Sequence, residues 1–145
     1  MSAKLRIAGP GDAERVMRLI LSCHDEMGIE TDPEGREMAV AALLNGDAAG
    51  AIYLIGPPSS PVGYLSISFG HSISRGTEGY VDELFIRPAI RGRGMASEAL
   101  MSLSKVLSQH GVRALHIRIE GEAPSSIARL RFRPDDRATI LTRSL

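Results

Sequence analysis

Asp82-Glu83-Leu84-Phe85-Ile86-Arg87-Pro88-Ala89-Ile90-Arg91-Gly92-Arg93-Gly94-Met95-Ala96-Ser97 is the stretch that decides how this chain folds. It reads as an apolar strand, a short turn carrying Pro88, and a basic glycine pair that opens a helix. A helix N-terminus presents unpartnered backbone N–H groups at the positive end of the macrodipole, so it attracts phosphate. Gly92 and Gly94 have no Cβ, which lets an anion lie against the main chain. Arg91 and Arg93 add charge and donors. The pattern predicts a holder for a phosphorylated ligand.

Two common glycine motifs do not fit. A P-loop needs Lys and then Ser or Thr after its final glycine, where Met95 and Ala96 stand. A dinucleotide fingerprint needs an acid about 20 residues further on, and Val112-Arg113-Ala114 supplies none.

What remains resembles the GNAT superfamily of N-acetyltransferases. Their signature is Arg/Gln-x-x-Gly-x-Gly/Ala after a strand, which Arg91-Gly92-Arg93-Gly94-Met95-Ala96 matches at its defined places, and Ile86-Arg87-Pro88 is similar to their hydrophobic-x-Pro turn. The resemblance implies that acetyl-CoA is the cosubstrate. Leu84, Phe85 and Ile86 would pair with the pantetheine arm, and Arg91, Gly92, Arg93, Gly94, Met95, Ala96 and Ser97 would hold the pyrophosphate. It also implies a GNAT-like fold of the mixed α/β (α+β) class over residues 1–145, a single domain. Its central sheet would be mixed and mostly antiparallel, with parallel fourth and fifth strands and flanking helices.

Working outward, hydropathy and punctuation give the same element order. A first strand spans Lys4 to Ala8. Asp12 caps a helix with the stripe Ala13, Val16, Met17, Ile20, Leu21, ended by Gly28. Asp32-Pro33 opens a second helix to Leu44. Ala51–Ile55 and Val62–Phe69 read as strands, Gly70–Gly79 as a mobile polar loop, and Tyr80–Ile86 as the fourth strand. Ala99, Leu100, Leu103, Val106 and Leu107 mark a helix reaching Gln109. Leu115, Ile117 and Ile119 mark a fifth strand, parallel to the fourth because a helix joins them.

The tail departs from the family. Relatives continue with Asn-x-x-Ala-x-x-Leu-Tyr-x-x-x-Gly-Phe, a helix whose Tyr often protonates the departing thiolate. Here Pro124 stands at the Asn place and Arg131 at the Tyr place, and Phe132 follows at once. About four residues, close to one helical turn, are missing. A very short helix over Pro124–Leu130 and a closing strand over Arg137–Arg143 are expected.

Composition bounds the function. A chain of 145 residues with 43% hydrophobic and 23% charged content is globular and long enough to bury a core. Residues 1–90 carry seven Lys/Arg against twelve Asp/Glu, a net of −5, and residues 91–145 carry ten against five, a net of +5. A basic C-terminal part suits an anionic cosubstrate, and an acidic N-terminal part suits an amine. The balanced total, with no Trp, three Tyr and three Phe, argues against nucleic acid. The single Cys23, on an apolar helix pattern, reads as a buried thiol in a reducing compartment. With no charged-then-apolar leader and no apolar run near about 18 residues, a soluble, cytoplasmic protein without a membrane partner is expected.

Acetyl transfer from a thioester needs a base for the ammonium, donors for the developing oxyanion and a proton for the leaving thiolate. Asp82 and Glu83 are the catalytic carboxylates within reach of the implied acetyl site. Alternation sends them to opposite faces, and a bulge would exchange them. Polyamine and aminoglycoside N-acetyltransferases tend to place their acid where Asp82 stands, which favours Asp82 as base and Glu83 as substrate contact, or the reverse. The N–H of Phe85 or Leu84 would polarise the carbonyl. Tyr53, Tyr64 and Tyr80 are stand-ins for the general acid. His24 and Glu26, with Asp25 and Glu30, form a cluster that could recognise the amine. The histidines show no metal-ligand spacing, and no metal is expected. The reading is an acetyl-CoA-dependent N-acetyltransferase acting on a small-molecule or amino-acid-like amine acceptor, with a homodimer left open because relatives are often dimers. The alternative is a non-catalytic acyl-CoA-binding regulatory domain.

Overall fold

A computed structural model describes residues 2–122 and 124–145. The chain runs β1 (Leu5–Ile7), α1 (Ala13–Met27), α2 (Pro33–Leu44), β2 (Gly50–Ile55), β3 (Gly63–Ser72), β4 (Gly76–Ile86), α3 (Met95–Gln109), β5 (Ala114–Ile117) and α4 (Ser125–Ala128), with 3-10 turns at Pro10–Asp12 and Pro88–Ile90. The strands form one sheet in sequence order, antiparallel except for β4 and β5. That exception follows from α3, since a crossover helix returns the chain to the edge it left.

Each face of the sheet has its own core. On one, Ile55, Leu65, Ile67 and Val81 meet Ala99, Leu100 and Leu103 of α3 and Ile127 of α4. On the other, Ile52, Leu54, Tyr64 and Phe85 meet Val16, Leu19, Ile20 and Cys23 of α1 and Val40 and Leu44 of α2. Alternation in β2 and β3 divides the side chains between the two. Each fully buried Leu or Ile contributes about 1.5–3 kcal/mol.

Local chemistry sets the helix limits. Asp32 accepts from Gly35 N at 3.0 Å and Pro33 occupies the first turn of α2, while Gly28 ends α1 at φ 65°. Asp12 stands at the start of α1 as expected, but its buried carboxylate caps no α1 amide and turns back to the segment before the helix. Asp12 accepts Arg6 Nη1 at 2.9 Å, Arg6 Nη2 at 3.0 Å and Gly9 N at 3.0 Å. The bidentate Arg6 holds its carboxyl at about 2 instead of 3.8. Because the folded value is depressed, this stabilisation is complete above the unfolded value and fades as pH falls through about 2. Asp12→Asn is therefore expected to cost about 1–2 kcal/mol at neutral pH, and the gap in melting temperature should close in a titration toward pH 2.

The structure corrects two expectations. Gly70–Gly79 is not a mobile loop: β3 and β4 stay paired through His71↔Thr77 to Ser72↔Gly76. Ser72 Oγ accepts from Arg75 N at 3.2 Å, and Gly76 takes φ 82°, so Ile73-Ser74-Arg75 is the whole turn. The pairing is invisible to hydropathy because these strand ends are polar. The closing strand over Arg137–Arg143 does not form. Residues 132–145 contain no helix or strand, and Ile140 and Leu141 stand 88% and 89% exposed. Alternation supplies a pattern but no ladder partner, and an unpaired strand is not stable alone. The helix expected over Pro124–Leu130 is the single turn α4, followed by Arg131 in the left-handed region at φ 70°. Among the described residues no helix is long and apolar enough to cross a membrane.

Candidate functional site

Along β3 and β4 the register pairs Ser66 with Glu83 but Ile67 with Val81, so Asp82 is an extra residue. This is a β-bulge, and it decides where both acids point. Ser68 and Tyr64 share one sheet face by alternation. Asp82 accepts from Ser68 Oγ and Glu83 from Tyr64, so the bulge places both acids on the α1/α2 face. Asp82 is exposed; Glu83 is half-buried.

Glu83 is the centre of a network. Tyr64 Oη donates to its Oε1 at 2.7 Å, and His24 Nε2 lies 3.0 Å from Oε1 and 2.9 Å from Oε2. His24, in the last turns of α1, is buried, and Tyr64 is fully buried. Burial, with Cys23 and Glu83 close by, pushes the Tyr64 phenol far above its ordinary range, so it remains a donor. Cys23 is buried as its helix pattern predicts, which raises its thiol. His24 Nδ1 faces Thr31 Oγ1 at 3.5 Å.

The sheet opens beside these acids. The last β4–β5 hydrogen bond is Arg118 N to Val81 O at 3.2 Å, while β4 continues to Ile86. Arg87 N donates to Val62 O at 2.8 Å, which fixes the phase of the β3 ladder. Phe85 therefore bonds toward β3, and Leu84 turns its N–H and C=O toward the gap. Of the two amides expected to polarise a carbonyl, Leu84 has the geometry and Phe85 does not.

The glycine turn closes the end of that gap. Gly92 and Gly94 lie at φ 80° and 74°, conformations that favour glycine, and α3 starts at Met95. Glu98 N is the first α3 amide bonded back, to Gly94 O at 3.0 Å. Among the described residues the amides from Gly92 through Ser97 donate to nothing. An open strand edge running into six free N–H groups fits a long ligand with a diphosphate.

Side chains expected at the site divide differently. The Arg91 guanidinium turns away from the free amides: Nη1 and Nη2 meet Glu26 at 2.8 and 2.5 Å, Nε donates to Ile86 O at 2.8 Å, and the group lies 5.5 Å from the Phe85 ring centroid. Glu26, expected at the amine, instead ties α1 to the glycine turn, and Arg91 lowers its carboxyl. Arg93 is exposed. Of the three tyrosines, Tyr64 serves Glu83, Tyr80 Oη donates to Glu78 at 2.8 Å, and Tyr53 packs on the α3-side core. Arg131 leaves no acid at the family's Tyr place.

A second network joins the hairpin to β5. The buried Glu78 accepts from Arg75, Tyr80 and His116 Nε2, the last at 2.9 Å, and Arg75 holds its carboxyl at about 2. Tyr80 and His116 stack at 4.5 Å. Among the described residues no three His, Cys, Asp or Glu side chains are grouped to hold a metal. Sequence reasoning missed the Tyr64–Glu83–His24 link. A Tyr alternating with Ser66 and Ser68 on one strand face was its only local signal.

The profile of the Acetyltransferase (GNAT) family matches residues 14–132. A solved integron cassette protein from the mobile metagenome of Cole Harbour Salt Marsh is 30% identical, with 97% of this chain and 90% of that one covered at a TM-score of 0.84. A putative acetyltransferase from Arthrobacter sp. FB24 is 25% identical, with 98% and 96% covered at 0.77. The ribosomal-protein-alanine N-acetyltransferase of Brucella melitensis biovar Abortus 2308 shares the fold at 16% identity, with 99% and 100% covered at 0.78. No curated protein matches the chain.

Proposed function

The chain belongs to the GNAT acetyltransferase family, and from that membership we propose that it moves an acetyl group from acetyl-CoA to a primary amine of a small or amino-acid-like acceptor. The observation that carries the reading is the meeting of three features at one end of β4: the strand gap at Leu84, the free amides of residues 92–97, and Glu83. Acetyl-CoA, when bound, supplies the acetyl group and carries away the thiolate.

The chain's own groups divide the remaining work. The amides from Gly92 to Ser97 bind diphosphate through a dipole end that needs no reorganisation. Leu84 C=O and Ile86 N–H face the gap and pair with an amide-bearing arm, while Leu84 N–H stabilises charge on a carbonyl oxygen. Of the two acids, Glu83 is assigned as base. It neighbours Leu84 in sequence, so the proton acceptor and the oxyanion donor sit about 3.8 Å apart at their Cα atoms. Asp82, exposed at the rim, is assigned to contact the acceptor. The acceptor's second face would meet the polar row of Ser66, Ser68 and Tyr80.

A non-catalytic acyl-CoA-binding domain is the second reading, favoured by Arg131 and by the one-turn α4. Release of free thiol from acetyl-CoA, followed across amines, amino acids and peptides alongside calorimetric CoA binding, separates the two. Binding with amine-dependent thiol release is expected. Binding with no release from any amine supports the regulatory domain instead.

A further inference from the structure

We propose that His24 is a positioning residue that aims the Glu83 carboxylate, leaving Oε2 as the oxygen presented to the acceptor. This inference rests on the reading of Glu83 as base. A carboxylate only accepts, so the His24 nitrogen between its two oxygens carries the hydrogen, and the neutral ring is the Nε2–H tautomer. That one N–H is shared between Oε1 at 3.0 Å and Oε2 at 2.9 Å, which points the carboxylate at α1, and the Tyr64 donor on one oxygen sets its rotation. Tyr64 adds a donor to Oε1 alone, at 2.7 Å. Oε1 therefore has two protein donors and Oε2 one, so Oε2 keeps room for an ammonium or a bridging water.

The support behind His24 is rigid. The ring is buried within α1, whose end is held to the glycine turn by Glu26 and Arg91. Thr31 Oγ1, itself 3.5 Å from Arg36 Nη1, faces its other nitrogen. A free Glu side chain samples several rotamers, and one held from two sides is preorganised for proton transfer. α1 thus sets the direction of a group that β4 carries.

Two variants test this in the full-length chain, with acetyl-CoA and the best amine from the thiol-release panel. His24→Gln keeps an N–H donor close to the Nε2 position, and His24→Met keeps bulk without a donor. His24→Met is expected to lower kcat by about 30-fold with KM for acetyl-CoA within about twofold, and His24→Gln to stay within about fivefold of the parent. Tyr64→Phe, which removes the Oε1 donor together with the hydroxyl beside Cys23, should lower kcat by about 5–10-fold. Equal losses in the Gln and Met variants, or full rate in His24→Met, would overturn the positioning role while leaving acetyl transfer intact. Should His24→Met not fold, an unimpaired kcat in both Tyr64→Phe and His24→Gln's alternative, His24→Asn, whose donor stands short of the carboxylate, would overturn it equally. No turnover by the parent chain with any amine would overturn both readings.

Discussion

Glu83→Gln is expected to lower kcat by about 10²–10³-fold while CoA affinity stays within about twofold. The substitution keeps the shape and one accepting oxygen, puts an NH2 donor in place of the other oxygen, and removes the ability to take a proton. Gln can still accept from Tyr64 through its carbonyl, so the packing on α1 survives. The side chain lies on the face opposite α3, away from the free amides, which is why cosubstrate binding should not move. Asp82→Asn makes the contrast. Its side chain is exposed and engaged by Ser68, so its loss should appear mainly in KM for the acceptor and by less than about tenfold. If Asp82→Asn were the inactive enzyme and Glu83→Gln the active one, the roles assigned to the two acids would be exchanged.

The second large effect belongs to the glycine turn. Gly94→Trp should weaken CoA binding by more than about 100-fold, read by calorimetry. Two causes act together. Gly94 sits at φ 74°, where any other residue is strained by about 1–2 kcal/mol. A Cβ built there meets nothing within 4 Å, so the indole would enter the space beside the free amides and not the core. The fold should therefore persist, with a drop of a few degrees in melting temperature from backbone strain. Unchanged affinity in a folded variant would remove the diphosphate from this turn.

Element order, the parallel β4–β5 pair and the glycine turn were all legible from residues 82–97 and from the helix stripes, because burial on one side leaves a periodic trace. What could not be read depends on pairing. The bulge at Asp82 changes no residue type, yet it turns an expected opposition of Asp82 and Glu83 into two neighbours on one face. The β3–β4 hairpin extends through polar residues that have no apolar face to reveal them. Arg91 looked like a phosphate ligand from its place in the motif, but Glu26, 65 residues earlier, claims its guanidinium. His24 and Glu83 are 59 residues apart and meet only because α1 packs across Tyr64. Contacts of that kind carry no local signal. In the tail, the pattern over Arg137–Arg143 was real as a sequence and empty as a strand, since alternation alone does not dock a segment on either edge of the sheet.

The most direct measurement is a crystal structure of the chain with CoA. The account predicts diphosphate oxygens about 3 Å from main-chain nitrogens within residues 92–97, and the pantetheine arm running along Leu84–Ile86 in the gap left by β5. A diphosphate bound to side chains elsewhere, with those nitrogens facing solvent, would contradict it.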